Sequence, residues 1–182
     1  IAHCRDKPQV ALYHFEEALK LDPKNSAAHL NIGAISLGFR DYGRAEVSLQ
    51  AAIDNGLGGN CSALSALGYS FEGLQKAKEA VDQFGKVLEM CPAEVDVLYT
   101  MGNICMAQLR DNECALSNFM KFATKKKGLA SDHMVHMMIK SIKQMIEMEA
   151  AGPEAIPEEA PAEEPVESQE TAPELHVPIE VS

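Results

Sequence analysis

A short apolar motif recurs four times in this chain at a nearly constant spacing, and it constrains the fold more than any other feature. Each copy has an alanine, a large apolar residue four positions later, and an apolar or small residue three positions beyond that. These positions share one stripe of an α-helix. The leading alanines are separated by 34, 35 and 35 residues. They are Ala11, Ala45, Ala80 and Ala115.

A second feature marks a partner helix upstream of three of the motifs. The pairs Ile32-Gly33, Leu67-Gly68 and Met101-Gly102 precede the corresponding alanines by 13, 13 and 14 residues. A glycine inside a helix costs about 1 kcal/mol unless packing compensates for it. Its recurrence in phase with the alanines predicts close approach of two helices in each unit. The period therefore predicts stacked helical hairpins, each of which needs its neighbours to bury its apolar face.

Together these residues resemble the tetratricopeptide repeat, a helix-turn-helix unit of about 34 residues with small-Gly, Ala, Phe, Ala and Pro landmarks. Pro23 and Pro92 supply the closing proline in two units. The repeat at 26–60 has a glycine-rich stretch at 55–60 instead, and the repeat at 95–129 carries one extra residue near 110–112. The resemblance implies an all-α fold, a right-handed α-solenoid of stacked helix-turn-helix repeats.

We expect a repeat domain at 1–150 and a separate tail at 151–182. The domain comprises a partial repeat at 1–25, full repeats at 26–60, 61–94 and 95–129, and a capping helix at 131–150. Ile1 has no preceding methionine and falls about ten residues into a repeat. We therefore expect that more sequence precedes it, and that the residues at 1–4 end a first helix.

Polar residues at the predicted helix starts are candidate N-caps, since their side chains can accept a backbone hydrogen bond. Ser26 and Asp41 are the candidates in the first full repeat, and Ser131 or Asp132 in the capping helix. The capping helix is amphipathic, because its apolar residues recur at three and four. These residues are Val135, Met138, Ile139, Ile142, Met145 and Ile146.

The charge of the chain is concentrated in its tail. Of the net charge of −11, the tail contributes nine glutamates and no basic residue, which leaves 18 acidic against 16 basic residues elsewhere. Neither part forms a basic patch, so a nucleic-acid partner is not expected. Prolines every fourth residue from 153 to 165 predict a disordered, acidic tail. The residues at 175–181 could add as a strand to the edge of a partner's sheet. The interpretation that we favour is that they are simply the end of the disordered tail.

The five cysteines, at positions 4, 61, 91, 105 and 114, form no CxxC pair. This scattering predicts reduced cysteines packed among helices in a reducing compartment, and we expect a cytoplasmic location. Redox or metal-binding roles are the less favoured alternatives, since no ligand spacing supports them. No apolar run approaches the roughly 20 residues that a membrane-spanning helix needs.

The sequence contains no recognised catalytic or phosphate-binding motif, so neither an enzyme nor a cofactor is expected. His133 and His136 lie three residues apart, a spacing that can hold a metal, but two partly exposed histidines at a helix end are the favoured interpretation. The capping helix is also rich in methionine. We expect a pliable helix that packs on Phe119 and Phe122, and the alternative is a surface that docks another chain.

The resemblance places ligand-facing residues on the inner surface, on the first helix of each hairpin. Some family members hold a terminal carboxylate there with basic residues and asparagines, but here no lysine or arginine occupies the matching positions. A peptide with apolar anchors fits better. The nine positions implied are Leu30, Asn31, Ala34, Ser65, Tyr69, Glu72, Tyr99, Asn103 and Met106.

We therefore expect a scaffold or adaptor that binds a peptide or protein segment and performs no catalysis. The alternative is the regulatory or docking portion of a larger enzyme whose catalytic part lies upstream. A further hypothesis is self-association, in which the uncovered stripe near Phe15 stacks onto the far end of another copy.

Overall fold

A computed structural model describes residues 7–151, which form eight α-helices and, within that range, no strand. Helices α2 and α3, α4 and α5, and α6 and α7 form three successive hairpins; α1 packs on α2, and α8 packs on α7. The predicted all-α solenoid is confirmed. The predictions for the residues at 1–4 and for the acidic tail beyond residue 151 lie outside the described residues. The helices are α1 (Pro8–Leu21), α2 (Ser26–Gly38), α3 (Tyr42–Ala52), α4 (Cys61–Gly73), α5 (Ala77–Met90), α6 (Asp96–Ile104), α7 (Asn112–Lys125) and α8 (Met134–Ala151).

The recurring alanine motif forms the core between successive helices. The alanines of the second, third and fourth copies are fully buried. The large residues four positions later, Leu49, Phe84 and Phe119, are also fully buried. Phe84 and Phe119 belong to one cluster that runs from α4 to α8, whereas Leu49 belongs to a smaller cluster with Leu67. The neighbouring hairpins thus supply the cover that the period of the motif predicts.

Each of the three in-phase glycines lies in close contact with the second helix of its hairpin. A Cβ atom on Gly33 would lie 2.5 Å from Leu49, and one on Gly68 or Gly102 would lie 2.6 Å from Phe84 or Phe119, respectively. No side chain fits at such distances without movement of the facing residue. The prediction that packing compensates for these helical glycines is confirmed.

The helix caps agree with the sequence at some positions and correct it at others. Asp41 caps α3, as predicted, and accepts a hydrogen bond from the backbone N–H of Arg44 at 3.3 Å. Ser26 is not the cap of α2: Asn25 accepts from the Ala28 N–H at 2.9 Å, and Ser26 is the first helical residue. Both residue types are good caps, so the sequence could not separate two adjacent candidates.

The start of α8 is also corrected. The helix begins at Met134, so neither Ser131 nor Asp132 can be its cap. The residue before the helix is His133, whose Nδ1 accepts a hydrogen bond from the Val135 N–H at 3.2 Å. The imidazole therefore satisfies one of the unpaired backbone donors of the first turn, a task that a serine or aspartate usually performs.

The extra residue of the last repeat is absorbed at the end of its first helix. Arg40, Gln75 and Arg110 have left-handed backbone conformations between the two helices of their hairpins. In the first two hairpins, the residue after the left-handed one donates its backbone N–H to the carbonyl five positions earlier in the chain. In the third hairpin, the corresponding carbonyl is six positions earlier. A π-helical segment at Cys105–Leu109 accommodates the insertion. A second one, at Ile53–Leu57, continues α3 into the glycine-rich stretch.

Helix α8 covers the apolar face of α7. Val135 and Ile142 are buried in the same cluster as Phe119 and Phe122, and Met138, Ile139 and Ile146 pack against its edge. Met134, Met137 and Met148 instead expose more than half of their surface. The helix thus packs as the favoured interpretation requires, and it also leaves methionines exposed on its other side.

Two disulfides overturn the prediction of reduced cysteines for four of the five cysteines, and the fifth, Cys4, lies outside the described residues. Cys61 at the start of α4 is bonded to Cys91 at the end of α5, with Cα atoms 6.0 Å apart. Cys105 and Cys114 join the two helices of the next hairpin, with Cα atoms 5.7 Å apart. The spacing rules for CxxC motifs could not find these pairs, because the hairpin fold, rather than proximity in sequence, brings them together. The four paired cysteines therefore give no support to a reducing compartment.

Candidate binding site on the first helices of the hairpins

Two adjoining cavities lie where α2, α4 and α6, the first helices of the three hairpins, follow one another. Tyr69 on α4 lines both, so the cavities meet at its ring. This ring packs edge-on against the buried Phe84, with centroids 5.1 Å apart, and leaves 37% of the residue exposed. The packing fixes the ring, and its exposed surface is available for contact with another molecule.

The larger cavity, here called the Glu72 cavity, has a volume of about 630 Å³. Volumes of about 300–1,000 Å³ are typical of ligand pockets. It draws residues from all three hairpins: Leu37, Gly38, Arg40 and Tyr42 from the first, Tyr69, Glu72, Gly73 and Gln75 from the second, and Gln108 from the third.

Local backbone features shape the Glu72 cavity. The Tyr42 ring lies directly against Gly73, where a Cβ atom would overlap it. Glycine at this position therefore lets the first residue of α3 reach across to α4. Arg40 and Gln75 reach the cavity from the left-handed positions between the helices of the first two hairpins, and Gln108 lies in the π-helical segment after α6.

Two hydrogen-bond acceptors in the Glu72 cavity have no donor. The Glu72 carboxyl is half-buried, and this burial raises its pKa above the usual range for glutamate. It forms no ion pair among the residues at 7–151. The Gln108 Oε1 atom is buried and likewise accepts no hydrogen bond from the described part of the chain. A buried acceptor such as the Gln108 oxygen is uncommon in folded proteins, whereas the half-buried Glu72 carboxyl is still partly exposed to water.

The smaller cavity, here called the Tyr99 cavity, has a volume of about 380 Å³ and a largely aromatic wall. The Tyr99 ring packs against Phe119, Phe122 and His133, with centroids 5.4 to 6.5 Å away. Asp96 stands at the edge, where its carboxylate pairs with Lys126 at 2.5 Å. The cavity is suited to an apolar or aromatic side chain. Its lining residues are Tyr69, Asp96, Tyr99, Thr100, Phe122, His133 and Met134.

Of the nine positions implied by the resemblance, the structure brings three together around these cavities. Tyr69 and Glu72 line the larger one, and Tyr69 and Tyr99 line the smaller one. Asn31 and Ala34 are exposed on α2, where the Asn31 amide donates to the Ala27 carbonyl oxygen at 2.7 Å.

The remaining four positions lie outside the two cavities. Leu30 and Met106 pack against the hydrophobic core, so their side chains have mainly structural contacts. Asn103 is half-buried on α6. The Ser65 hydroxyl is buried and forms no hydrogen bond within residues 7–151.

Several cavity residues were missed by the sequence reasoning because they do not lie on the first helices. Tyr42 starts a second helix, His133 precedes α8, and Gln108 lies in the π-helical segment. Arg40 and Gln75 lie between helices. The sequence contained a partial signal, because each of these residues except His133 is near the turn inside a hairpin, and such turns meet along one edge of a solenoid.

The described residues offer no metal centre. Within the range 7–151, no group of three or more His, Cys, Asp or Glu side chains converges as a metal site would require. His133 is engaged as the α8 cap and packs on the Tyr99 and Phe122 rings. Over the same range, no helix combines the length and the apolar character needed to span a membrane.

The arrangement of helices matches solved repeat proteins. A crystal structure of MamA superimposes with a TM-score of 0.70 and 18% identity, and covers 80% of this chain and 83% of that one. A tetratricopeptide repeat protein from Parabacteroides merdae gives a TM-score of 0.67 and 18% identity, over 80% of this chain and 58% of that one.

This chain has the tetratricopeptide-repeat fold. MamA 41-end from Desulfovibrio magneticus is a further match, with a TM-score of 0.61 and 23% identity over 68% of each chain. No protein-family model matches the sequence, and neither does any curated protein. At these identities the tetratricopeptide likeness establishes the fold, so the function has to be argued from the two cavities.

Proposed function

We propose that this protein is an interaction module that binds a segment of another polypeptide along α2, α4 and α6, without catalysis of its own. The observation that carries the proposal is the pair of adjoining cavities that share Tyr69. A chain that crosses Tyr69 could place one side chain in each cavity. Tyrosines that are fixed from below and exposed above are typical energetic centres of protein interfaces.

The contacts of the aromatic residues support this proposal. Tyr69 rests on Phe84, and Tyr99 rests on Phe119 and Phe122, so both rings are held in place before any partner arrives. A preorganised surface loses little conformational entropy on binding. The partner we propose is a protein or peptide. A nucleic-acid partner remains disfavoured because the repeat region has no excess of basic residues.

The test is binding of short peptides selected from a displayed random library on the whole chain. Replacement of Tyr69 by alanine should weaken the selected peptides at least about tenfold. Tyr99→Ala should weaken them as well, because Tyr99 lines the smaller cavity. The matched control is Tyr13→Ala, because Tyr13 is 58% exposed on α1 and lies outside both cavities.

The interpretation requires that each variant keeps the helical circular dichroism spectrum of the parent. Selected peptides that bind Tyr69→Ala and Tyr99→Ala as tightly as the parent would contradict the proposal. Loss of binding in Tyr13→Ala alone would indicate that the interface lies on α1 instead. Self-association through the end helices stays a prediction, tested by the dependence of light-scattering mass on concentration. A cytoplasmic location also stays a prediction, now without support from the cysteines.

A further inference from the structure

The Glu72 cavity contains a carboxyl group that forms no ion pair within residues 7–151. Glu72 is half-buried there, in a cavity to which all three hairpins contribute residues. Partial burial removes some of the hydration of a carboxylate, and nothing compensates for that loss unless a cation pairs with it. A cationic ligand that brings several donors and no acceptor of its own would supply this partner.

We propose that the Glu72 cavity binds the guanidinium group of an arginine side chain from the bound polypeptide. This inference rests on the function proposed above and specifies the chemistry of its ligand. A guanidinium carries five N–H donors in a planar fork and has no acceptor. Two of these donors could pair with the two oxygens of the Glu72 carboxylate, which an apolar side chain cannot do.

The aromatic residues of the cavity favour the same ligand. Tyr69 and Tyr42 both line it, and the absence of a side chain at Gly73 lets the Tyr42 ring lie close to α4. Planar guanidinium groups stack on aromatic rings more readily than ammonium groups do, and they are less strongly hydrated. Arginine is therefore a better occupant than lysine, although both would satisfy the carboxylate.

The opposite choice, an anionic ligand, has one supporting residue. Arg40 lines the cavity and could pair with a carboxylate. However, Arg40 is exposed to water at the rim, whereas Glu72 and Gln108 are more buried. An anion would place a second negative charge near a carboxylate that has no ion pair within residues 7–151. The two hypotheses predict opposite effects of substitution at Arg40 and at Glu72, which makes them separable.

The first experiment uses N-acetyl-arginine methylamide as the probe and nuclear magnetic resonance of the isotopically labelled whole chain as the readout. We expect shifts of the Gln108 side-chain amide and of the Gly73 and Gln75 backbone amides, with a dissociation constant on the order of 1 mM. The citrulline analogue, a neutral isostere, should bind at least about tenfold more weakly, as judged from the concentration needed to produce the same shifts. Equal shifts with both probes, or none with either, would overturn the proposal.

The second experiment repeats the library selection and reads the composition of the selected peptides. Arginine should be enriched at one position on the parent protein and should lose its enrichment on Glu72→Gln. Peptides selected on the parent should bind Glu72→Gln at least about tenfold more weakly and bind Arg40→Gln equally or more tightly. Glu72→Gln removes a half-buried charge that has no ion pair within residues 7–151, so a folding defect should not obscure the result.

The outcomes also distinguish this inference from the function on which it rests. Peptides without arginine that depend on Tyr69 would overturn the arginine proposal and leave the interaction module intact. Acidic peptides that require Arg40 would overturn it in favour of an anionic ligand. A selection that yields no peptide would count against the interaction module, and the probe experiment would then decide the arginine site by itself.

Discussion

Gly68 on α4 and Phe84 on α5 are in such close contact that a Cβ atom on the glycine would lie 2.6 Å from the phenylalanine ring. Phe84 is fully buried, and its ring also packs against Tyr69 of the candidate site. The same contact is repeated one hairpin later between Gly102 and Phe119, which supports Tyr99. The packing that joins the helices of each hairpin thus also fixes the tyrosines of the binding surface.

Gly68→Ala should destabilise the protein by about 1–3 kcal/mol, because the added methyl group displaces Phe84. In an unpacked helix the same change would stabilise by about 0.5–1 kcal/mol. Gly85→Ala is the matched control, since Gly85 lies within α5 and a Cβ atom there meets nothing within 4 Å. Urea unfolding followed by circular dichroism measures both. Equal stabilisation by the two substitutions would refute the close contact.

Loss of the disulfide between Cys61 and Cys91 should lower the free energy of unfolding by about 3–4 kcal/mol, because the bond closes a long loop. Loss of the bond between Cys105 and Cys114, which are nine residues apart, should cost less, about 2–3 kcal/mol. Urea unfolding with and without reductant measures the combined effect, and the two paired serine variants separate it. Digestion without reduction should release one linked peptide pair for each bond. If all four cysteines are alkylated in the unreduced, unfolded protein, the pairing is wrong.

Glu72→Gln should stabilise the protein at neutral pH and have little effect at low pH. Burial raises the pKa of the Glu72 carboxyl, so the folded state holds this proton more tightly than the unfolded state does. Stability therefore falls as the pH rises from the ordinary glutamate pKa to the raised value, and the charged form carries the full penalty above it. Arg40 shares the cavity but does not form an ion pair with Glu72 at 4 Å or less.

Thermal unfolding of the parent and of Glu72→Gln across this pH range tests the prediction. The difference between the two proteins should grow with pH and then level off. Glu147→Gln is a suitable control, because Glu147 is an exposed carboxylate on α8 and lies outside the first turn of that helix. A difference that shrinks with rising pH would mean that Glu72 has a stabilising cationic partner in the folded protein.

Arg110→Gly should stabilise the last hairpin by about 0.5–1 kcal/mol, because Arg110 has a φ of 54° that favours glycine. The gain is reduced by the greater conformational freedom of glycine in the unfolded chain. Arg110→Ala removes the same side chain but keeps the Cβ atom, and it should leave stability nearly unchanged. Chemical unfolding of the two variants side by side provides the comparison. Similar stabilities would argue against the left-handed turn.

The solenoid could be predicted from sequence because its packing is regular. One contact between helices recurs in each hairpin, and it involves the alanines, the in-phase glycines and the large residue four positions after each alanine. Their spacing is therefore visible in the sequence although the residues between them differ from one repeat to the next. Tyr69 and Tyr99 follow from the same register, because each is next to or near one of the glycines on the first helix of its hairpin.

The remaining features depend on irregular geometry that a period does not encode. The sequence could not identify His133 as a cap, since histidine is an uncommon one. Gln108 reaches its cavity through a π-helical segment created by the inserted residue. The partner of Cys61 is 30 residues away and becomes its neighbour only when the hairpin closes. Local propensity and spacing rules carry no information about such contacts.

The most direct test of the proposed binding surface is site-specific photo-crosslinking in cells that produce this protein. A benzophenone amino acid in place of Tyr69 would lie at the junction of the two cavities, and the same amino acid in place of Tyr13 would lie on α1, outside both. We predict that light yields a discrete covalent adduct with another polypeptide from position 69 and none from position 13. Adducts from position 13 with none from position 69 would contradict the account.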